Sequence, residues 1–140
     1  MLENIIVTNL KRIPIDGGAV AHMLKCDETS FLGFGEIYTS AVQPRFIKAW
    51  KLHKRMTMNL IVVQGLVKFV FYDDLKKVFR KEIIGESRYA RITTPPNIWF
   101  GFEGISSIES LVINISNIPH SESEVERKNL DQIKYDWTKT

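Results

Sequence analysis

The sequence predicts an all-β protein, a jelly-roll barrel or sandwich, and three observations predict it. Short runs rich in β-branched and aromatic residues recur at close spacing, Gly and Pro turn signals separate them, and helical periodicity is weak throughout. In chain order, Asp16-Gly17-Gly18 marks a turn, Gly33 and Gly35 bracket an irregular stretch, and Gln43-Pro44-Arg45 breaks the run between Tyr38 and Phe46. The strongest strands follow at 46–53, 59–64 and 66–72, and Asp73-Asp74 makes the next turn. Segments 78–84 and 88–93 read as further strands. Pro95-Pro96-Asn97 reads as a loop, because proline cannot donate to a strand ladder. Segments 99–102 and 110–116 complete the set. One helix is predicted at 121–128, after Pro119, within a charged tail that runs from Ser121 and is expected on the surface. Ile133, Tyr135 and Trp137 alternate there, so the tail can dock an apolar side on the barrel or on a second subunit.

Composition limits the function classes. The 140 residues fit one domain over 1–140, and 44% hydrophobic with 25% charged residues is ordinary for a globular chain. The start carries no basic and apolar leader pattern, and the longest apolar run is broken by Gln64 and Lys68, so no membrane span is expected. The single cysteine, Cys26, cannot form an internal disulfide and suits a reducing cytoplasm. A formal charge of +3 is too small to argue for nucleic acid. A basic cluster over 48–55 is either a phosphate site or a solvated strand end.

The spacing of the central segment resembles a cupin, a small jelly-roll barrel. Lys51-x-His53, four residues, Met58, six residues and Gly65 preserve the intervals of the first cupin motif, and 95–100 preserves those of the second. The positions that hold a metal in many cupins are Lys51, His53, Met58 and Phe100. A protonated lysine repels a cation and phenylalanine has nothing to donate, so no metal and no cofactor are expected.

Four segments narrow the resemblance: 46–53 against V-x-R-G-L-H-x-Q, 65–74 against G-x-x-x-x-V-x-x-D, 95–102 against P-x-G-x-x-H-G-F, and 133–137 against I-x-x-x-W. On these the chain resembles the dTDP-4-dehydrorhamnose 3,5-epimerase family, metal-free cupins that process nucleotide sugars. The resemblance implies that Lys48 stands at the family's diphosphate-binding arginine and Lys51 at its catalytic histidine. Asp73 keeps an aspartate, Phe100 replaces a histidine, and the catalytic tyrosine falls on or near Val112. Two nucleotide-contacting positions fall near Glu36 and Tyr38.

Epimerase chemistry takes a proton from carbon beside a ketone and returns one to the other face, which needs a base near neutral pKa and an acid. Lys51 could be that base if its pKa fell, a Schiff-base amine, or a cation that neutralises a phosphate or pairs with Asp73. His53 shares its face by alternation and is either a substrate contact or an inward polar residue satisfied by a neighbour. Tyr38 or Tyr72 could supply an acid. Trp50, Trp99, Phe100 and Phe102 are either core or a stacking platform.

The resulting expectation is a nucleotide-sugar epimerase or isomerase acting on a dTDP-linked 4-keto-6-deoxyhexose in cell-surface polysaccharide synthesis. Its catalytic candidates are Lys51, Asp73 and Tyr38, and its substrate-binding candidates are Lys48, Arg45, His53 and Glu36. The partners expected are a nucleotide sugar and a second copy of the chain, with no nucleic acid and no membrane. The alternative is the same barrel without turnover, holding a nucleotide sugar or regulating a pathway enzyme.

Overall fold

A computed structural model describes residues 1–139. Twelve strands run β1 (Ile6–Asn9), β2 (Arg12–Ile15), β3 (Gly18–Ala21), β4 (Glu36–Val42), β5 (Ile47–His53) and β6 (Met58–Gln64), then β7 (Leu66–Asp73), β8 (Val78–Gly85), β9 (Ala90–Thr94), β10 (Trp99–Gly104), β11 (Ser110–Ser116) and β12 (Val125–Arg127). They form two five-stranded sheets, β1-β9-β6-β11-β4 and β12-β5-β10-β7-β8, plus a separate β2-β3 hairpin. Every pairing between these strands is antiparallel. This is the cupin jelly roll that the strand pattern predicts.

The core follows from side-chain alternation. Met58, Leu60 and Val62 of β6, Ile92 of β9 and Val112 of β11 meet Val67, Phe69 and Phe71 of β7 and Phe100 of β10, all buried in one cluster. Such inward aliphatic and aromatic positions supply most of the driving force for folding, at about 1.5–3 kcal/mol for each fully buried side chain.

A second cluster lies on the outer face of the sheet that contains β5, β10 and β7. There Trp50, Val70 and Trp99 pack against Ile133 and Trp137 of the tail. The tail therefore docks on its own barrel. Lys68 anchors it: this lysine is 2% exposed, its Nζ donates to the carbonyls of Trp137 at 2.6 Å and Lys139 at 2.9 Å, and it pairs with Glu103 at 2.9 Å. A buried ammonium is tolerable only when its donors are used in this way.

The helix expected at 121–128 does not form. A single 3-10 turn, Glu122–Glu124, leads into β12, and Val125 pairs with His53, Glu126 with Leu52 and Arg127 with Lys51. A short polar helix has no apolar face to bury, whereas the unpaired edge of β5 offers backbone partners and a place for Val125, which is 8% exposed.

One irregularity positions the site. Along β5 and β10, Phe102 pairs with Lys48 and Gly101 with Ala49, but Phe100 pairs with Lys51, so Trp50 is an extra residue in β5. Strict alternation would send Lys48 and Lys51 to opposite faces. The bulge instead sets both beside inward-facing phenylalanines. Gly101 permits the close approach, since a Cβ there would stand 2.5 Å from that of Ala49.

Candidate functional site

A cleft of about 750 Å3 opens between β5 and β10 of one sheet and β4 and β11 of the other. β5 contributes Lys48, Lys51 and His53 to one wall, with Phe100 of β10 behind them. β4 and β11 contribute Tyr38, Ser40 and Asn114 to the other. The tail closes the rim with Arg127, Lys128, Asn129, Leu130 and Gln132. Four cationic side chains line this space, and among the described residues no aspartate or glutamate does. The field inside is therefore built for an anion.

His53 is the most enclosed polar group of the wall. It is 4% exposed, its ring stacks on Phe100 with centroids 6.0 Å apart and planes at 19°, and its Nδ1 is buried without a hydrogen-bond partner. Glu124 Oε1 stands 4.0 Å from that nitrogen. Burial lowers the imidazole to about 4, and Lys51, His120 and Arg127 push the same way against the Glu124 carboxylate. His53 is thus a neutral imidazole near pH 7, and its contact with Glu124 is not an ion pair there. The unfolded chain binds this proton near 6.5 and the folded chain only near 4, so stability falls as pH drops through that window. Urea unfolding at pH 7 and pH 4.5 is expected to show His53 contributing roughly 2–3 kcal/mol of loss, absent in His53→Gln.

Lys51 remains exposed at the mouth. Partial burial lowers its pKa first, with Arg127 and Lys48 adding to the shift. Among the described residues it has no ion-pair partner, so of the alternatives for Lys51 the pairing with Asp73 is not formed. Lys48 Nζ donates to the Ala41 carbonyl at 2.7 Å. On the facing wall the Tyr38 hydroxyl accepts from Asn114 Nδ2 at 3.0 Å, which leaves the phenolic proton free to point elsewhere.

Lys48, Lys51, His53 and Tyr38 therefore meet in the cleft, and three other candidates stand outside its lining. Asp73 is 1% exposed, and its carboxylate accepts the N–H groups of Leu75 and Lys76 at 3.0 and 3.1 Å. It caps the β7–β8 turn through Oδ1, away from the cleft lining. Arg45 is exposed in the β4–β5 turn, where φ is 63° and its N–H bonds the Gly104 carbonyl at 2.7 Å. Glu36 accepts the His120 N–H at 2.8 Å and ties the segment after β11 to β4. Trp50 and Trp99 pack in the outer cluster, and of the two only Trp50 also contributes to the cleft lining.

Sequence reasoning missed Glu124, Arg127 and Asn114. The first two lay in a tail read as surface, where the alternation Glu124-Val125-Glu126-Arg127 was the available sign of a strand. Asn114 sits in a predicted strand, but its significance depends on Tyr38 directly across in β4.

A dTDP sugar isomerase from Desulfovibrio desulfuricans G20 superposes with a TM-score of 0.91 at 35% identity, over 99% of this chain and 93% of that one. A sugar 3,4-ketoisomerase from Thermoanaerobacterium thermosaccharolyticum, solved with TDP, gives a TM-score of 0.77 at 17% identity over 95% and 93% of the two chains. A histidine variant of that enzyme was solved with TDP-4-keto-6-deoxyglucose. A dTDP-4-dehydrorhamnose 3,5-epimerase from Bacillus anthracis, with TDP and PPi bound, gives 0.83 at 16% identity over 98% and 86%. The last two enzymes share the fold. No family model matches the sequence, and no curated protein matches it.

Proposed function

The chain belongs to the dTDP-sugar isomerase family, and from that premise we propose that it isomerises a dTDP-linked 4-keto-6-deoxyhexose. The observation that carries the reading is the cleft itself: Lys48, Lys51, Arg127 and Lys128 line it without a carboxylate among the described residues, and a neutral imidazole stands between them. Lys48 and Arg127 hold the diphosphate and Lys51 faces the ketone end of the sugar. His53 takes the proton from the carbon beside the ketone. The released electron pair moves onto the carbonyl oxygen, where Lys51 stabilises the developing charge. Lys51 reaches solvent and keeps much of its hydration, which favours the ammonium over the free amine that a base or a Schiff base requires. Tyr38, on the facing wall, supplies the proton that completes the reaction. Return to the far face of the same carbon inverts it. Return to the former carbonyl carbon, with the neighbouring hydroxyl proton passing to the former carbonyl oxygen, moves the ketone.

Both outcomes begin with the same abstraction, so one experiment tests the proposal. The protein is incubated in D2O with dTDP-4-keto-6-deoxyglucose and followed by NMR. Deuterium entering the sugar is expected, and the product identifies ketone migration or inversion. Binding of dTDP without exchange into this or the epimeric keto sugar would instead identify a barrel that holds nucleotide sugars without turnover. Lys48→Ala is expected to weaken dTDP about tenfold, measured by calorimetry, and unchanged affinity would remove Lys48 from the diphosphate site.

The setting we propose is the synthesis of sugars for cell-surface polysaccharide in the cytoplasm, where the free and exposed Cys26 meets reducing conditions. Among the described residues no helix is long and apolar enough to cross a membrane. We also propose a homodimer. The β2-β3 hairpin stands apart from both sheets with Ile13, Ile15 and Val20 44–55% exposed, an apolar ribbon that a second copy would cover. Light scattering on the purified protein tests this.

A further inference from the structure

We infer that Glu124 is the positioning carboxylate of His53: it holds the imidazole with Nδ1 protonated, so that the Nε2 lone pair serves the cleft. The inference rests on the reading of His53 as the base and assigns the tail a part in the reaction.

The geometry is built from several directions. Glu124 is 1% exposed, and three donors hold its carboxylate. Oε1 accepts the N–H groups of Arg55 and Met56 at 2.7 Å each, and Oε2 accepts Arg55 Nε at 3.2 Å. The Lys54 N–H bonds the Glu124 carbonyl at 2.9 Å, and the next residue, Val125, pairs with His53 across the sheet. Backbone on both sides thus fixes where this carboxylate can be. Burial opposes its charge, but the Arg55 and Met56 N–H groups and the Arg55 guanidinium overcome that and hold its pKa below the usual carboxylate range. A fixed anion therefore stands 4.0 Å from a buried ring nitrogen that has no other partner.

Tautomer choice follows. With the proton on Nε2, the Nδ1 lone pair would face a carboxylate in a desolvated pocket, two acceptors together. With the proton on Nδ1 the pair attracts, and a small turn of the ring shortens the contact when substrate fills the cleft. The charges around His53 give Glu124 a second role. Lys51 on β5, Arg127 on β12 and His120 after β11 all oppose a positive imidazole, Phe100 on β10 is neutral, and Glu124 is the group that favours it. When His53 takes a proton from the sugar, Glu124 is the counter-charge for the imidazolium.

A purely structural Glu124 would tie the tail to residues 54–56 and do nothing more. Nitrogen-15 NMR of the imidazole in the ligand-free wild-type protein separates the two. The Nδ1–H tautomer is expected for His53, and a predominant Nε2–H tautomer overturns the inference whether or not any variant folds. Glu124→Gln keeps an oxygen for the Arg55 and Met56 N–H groups and removes the charge. In the deuterium-exchange assay it is expected to lower kcat roughly 10- to 100-fold with KM within about twofold, and to move the acid limb of the rate profile to lower pH. A lower melting temperature with kcat and acid limb unchanged would assign Glu124 a structural role only. Absence of exchange in the wild-type protein would defeat the functional reading, and the tautomer measurement would still decide whether Glu124 orients His53.

Discussion

His53→Gln is expected to slow deuterium uptake into a dTDP-4-keto sugar by roughly 10²- to 10⁴-fold while dTDP affinity stays within about twofold. The split follows from where the two functions sit. In the proposed mechanism Lys48 and Arg127 hold the diphosphate, whereas His53 is enclosed, stacked on Phe100 and neutral near pH 7. Lys51→Met is expected to behave differently, raising KM and lowering kcat about tenfold, because it removes a charge that both the bound sugar and the developing oxyanion use. The pH profile gives an independent reading. The acid limb of kcat/KM reports the base of the free enzyme, so with His53 as base the rate stays level below neutrality and falls near pH 4. If Lys51→Met abolishes exchange while His53→Gln spares it, and the acid limb lies above neutrality, the lysine is the base.

Trp50→Ala is expected to destabilise the protein by about 3–5 kcal/mol and to weaken dTDP binding with it. Trp50 is 1% exposed. Its ring lies 5.4 Å from that of Trp137, and its Nε1 donates to the Leu130 carbonyl at 3.3 Å. Backbone bonds in both directions join Trp50 to Lys128, at 3.0 and 3.1 Å. Removing the indole leaves a cavity beneath the tail and loosens the segment that carries Arg127 to the cleft. Urea unfolding measures the first effect and calorimetry with dTDP the second. A loss under about 1 kcal/mol would show that the tail is held by other contacts, with the Lys68 anchor first among them.

The jelly roll was legible because its strands carry their own signals. The segment predicted at 110–116 matches Ser110–Ser116, and that predicted at 66–72 extends by one residue to Asp73. Alternation correctly gave Lys51 and His53 a common face. It could not put Lys48 there as well, because that depends on one extra residue in β5, and a bulge leaves no mark in a hydrophobic pattern. The place of Asp73 outside the cleft lining was illegible for a similar reason. An aspartate at a strand end looks the same whether its carboxylate faces a ligand or caps the next turn, and hydrogen bonds to Leu75 and Lys76 decide the matter. The tail was hardest. Its residues are polar, and their roles come from β5 and Lys68, which lie far away in sequence. Glu124 reads as one more surface charge until the backbone of Arg55 and Met56 is placed around it.

The position of the tail also sets an order of events during synthesis. Every strand of the two sheets except β12 precedes Ser121 in the chain, so the barrel's core residues leave the ribosome before the segment that carries Glu124, Arg127 and Trp137. While residues 121–139 are still in the exit tunnel, the cleft lacks part of its rim and His53 lacks its carboxylate. The site is therefore completed only after this segment has emerged, when it folds back and Lys68 closes on the carbonyls of Trp137 and Lys139.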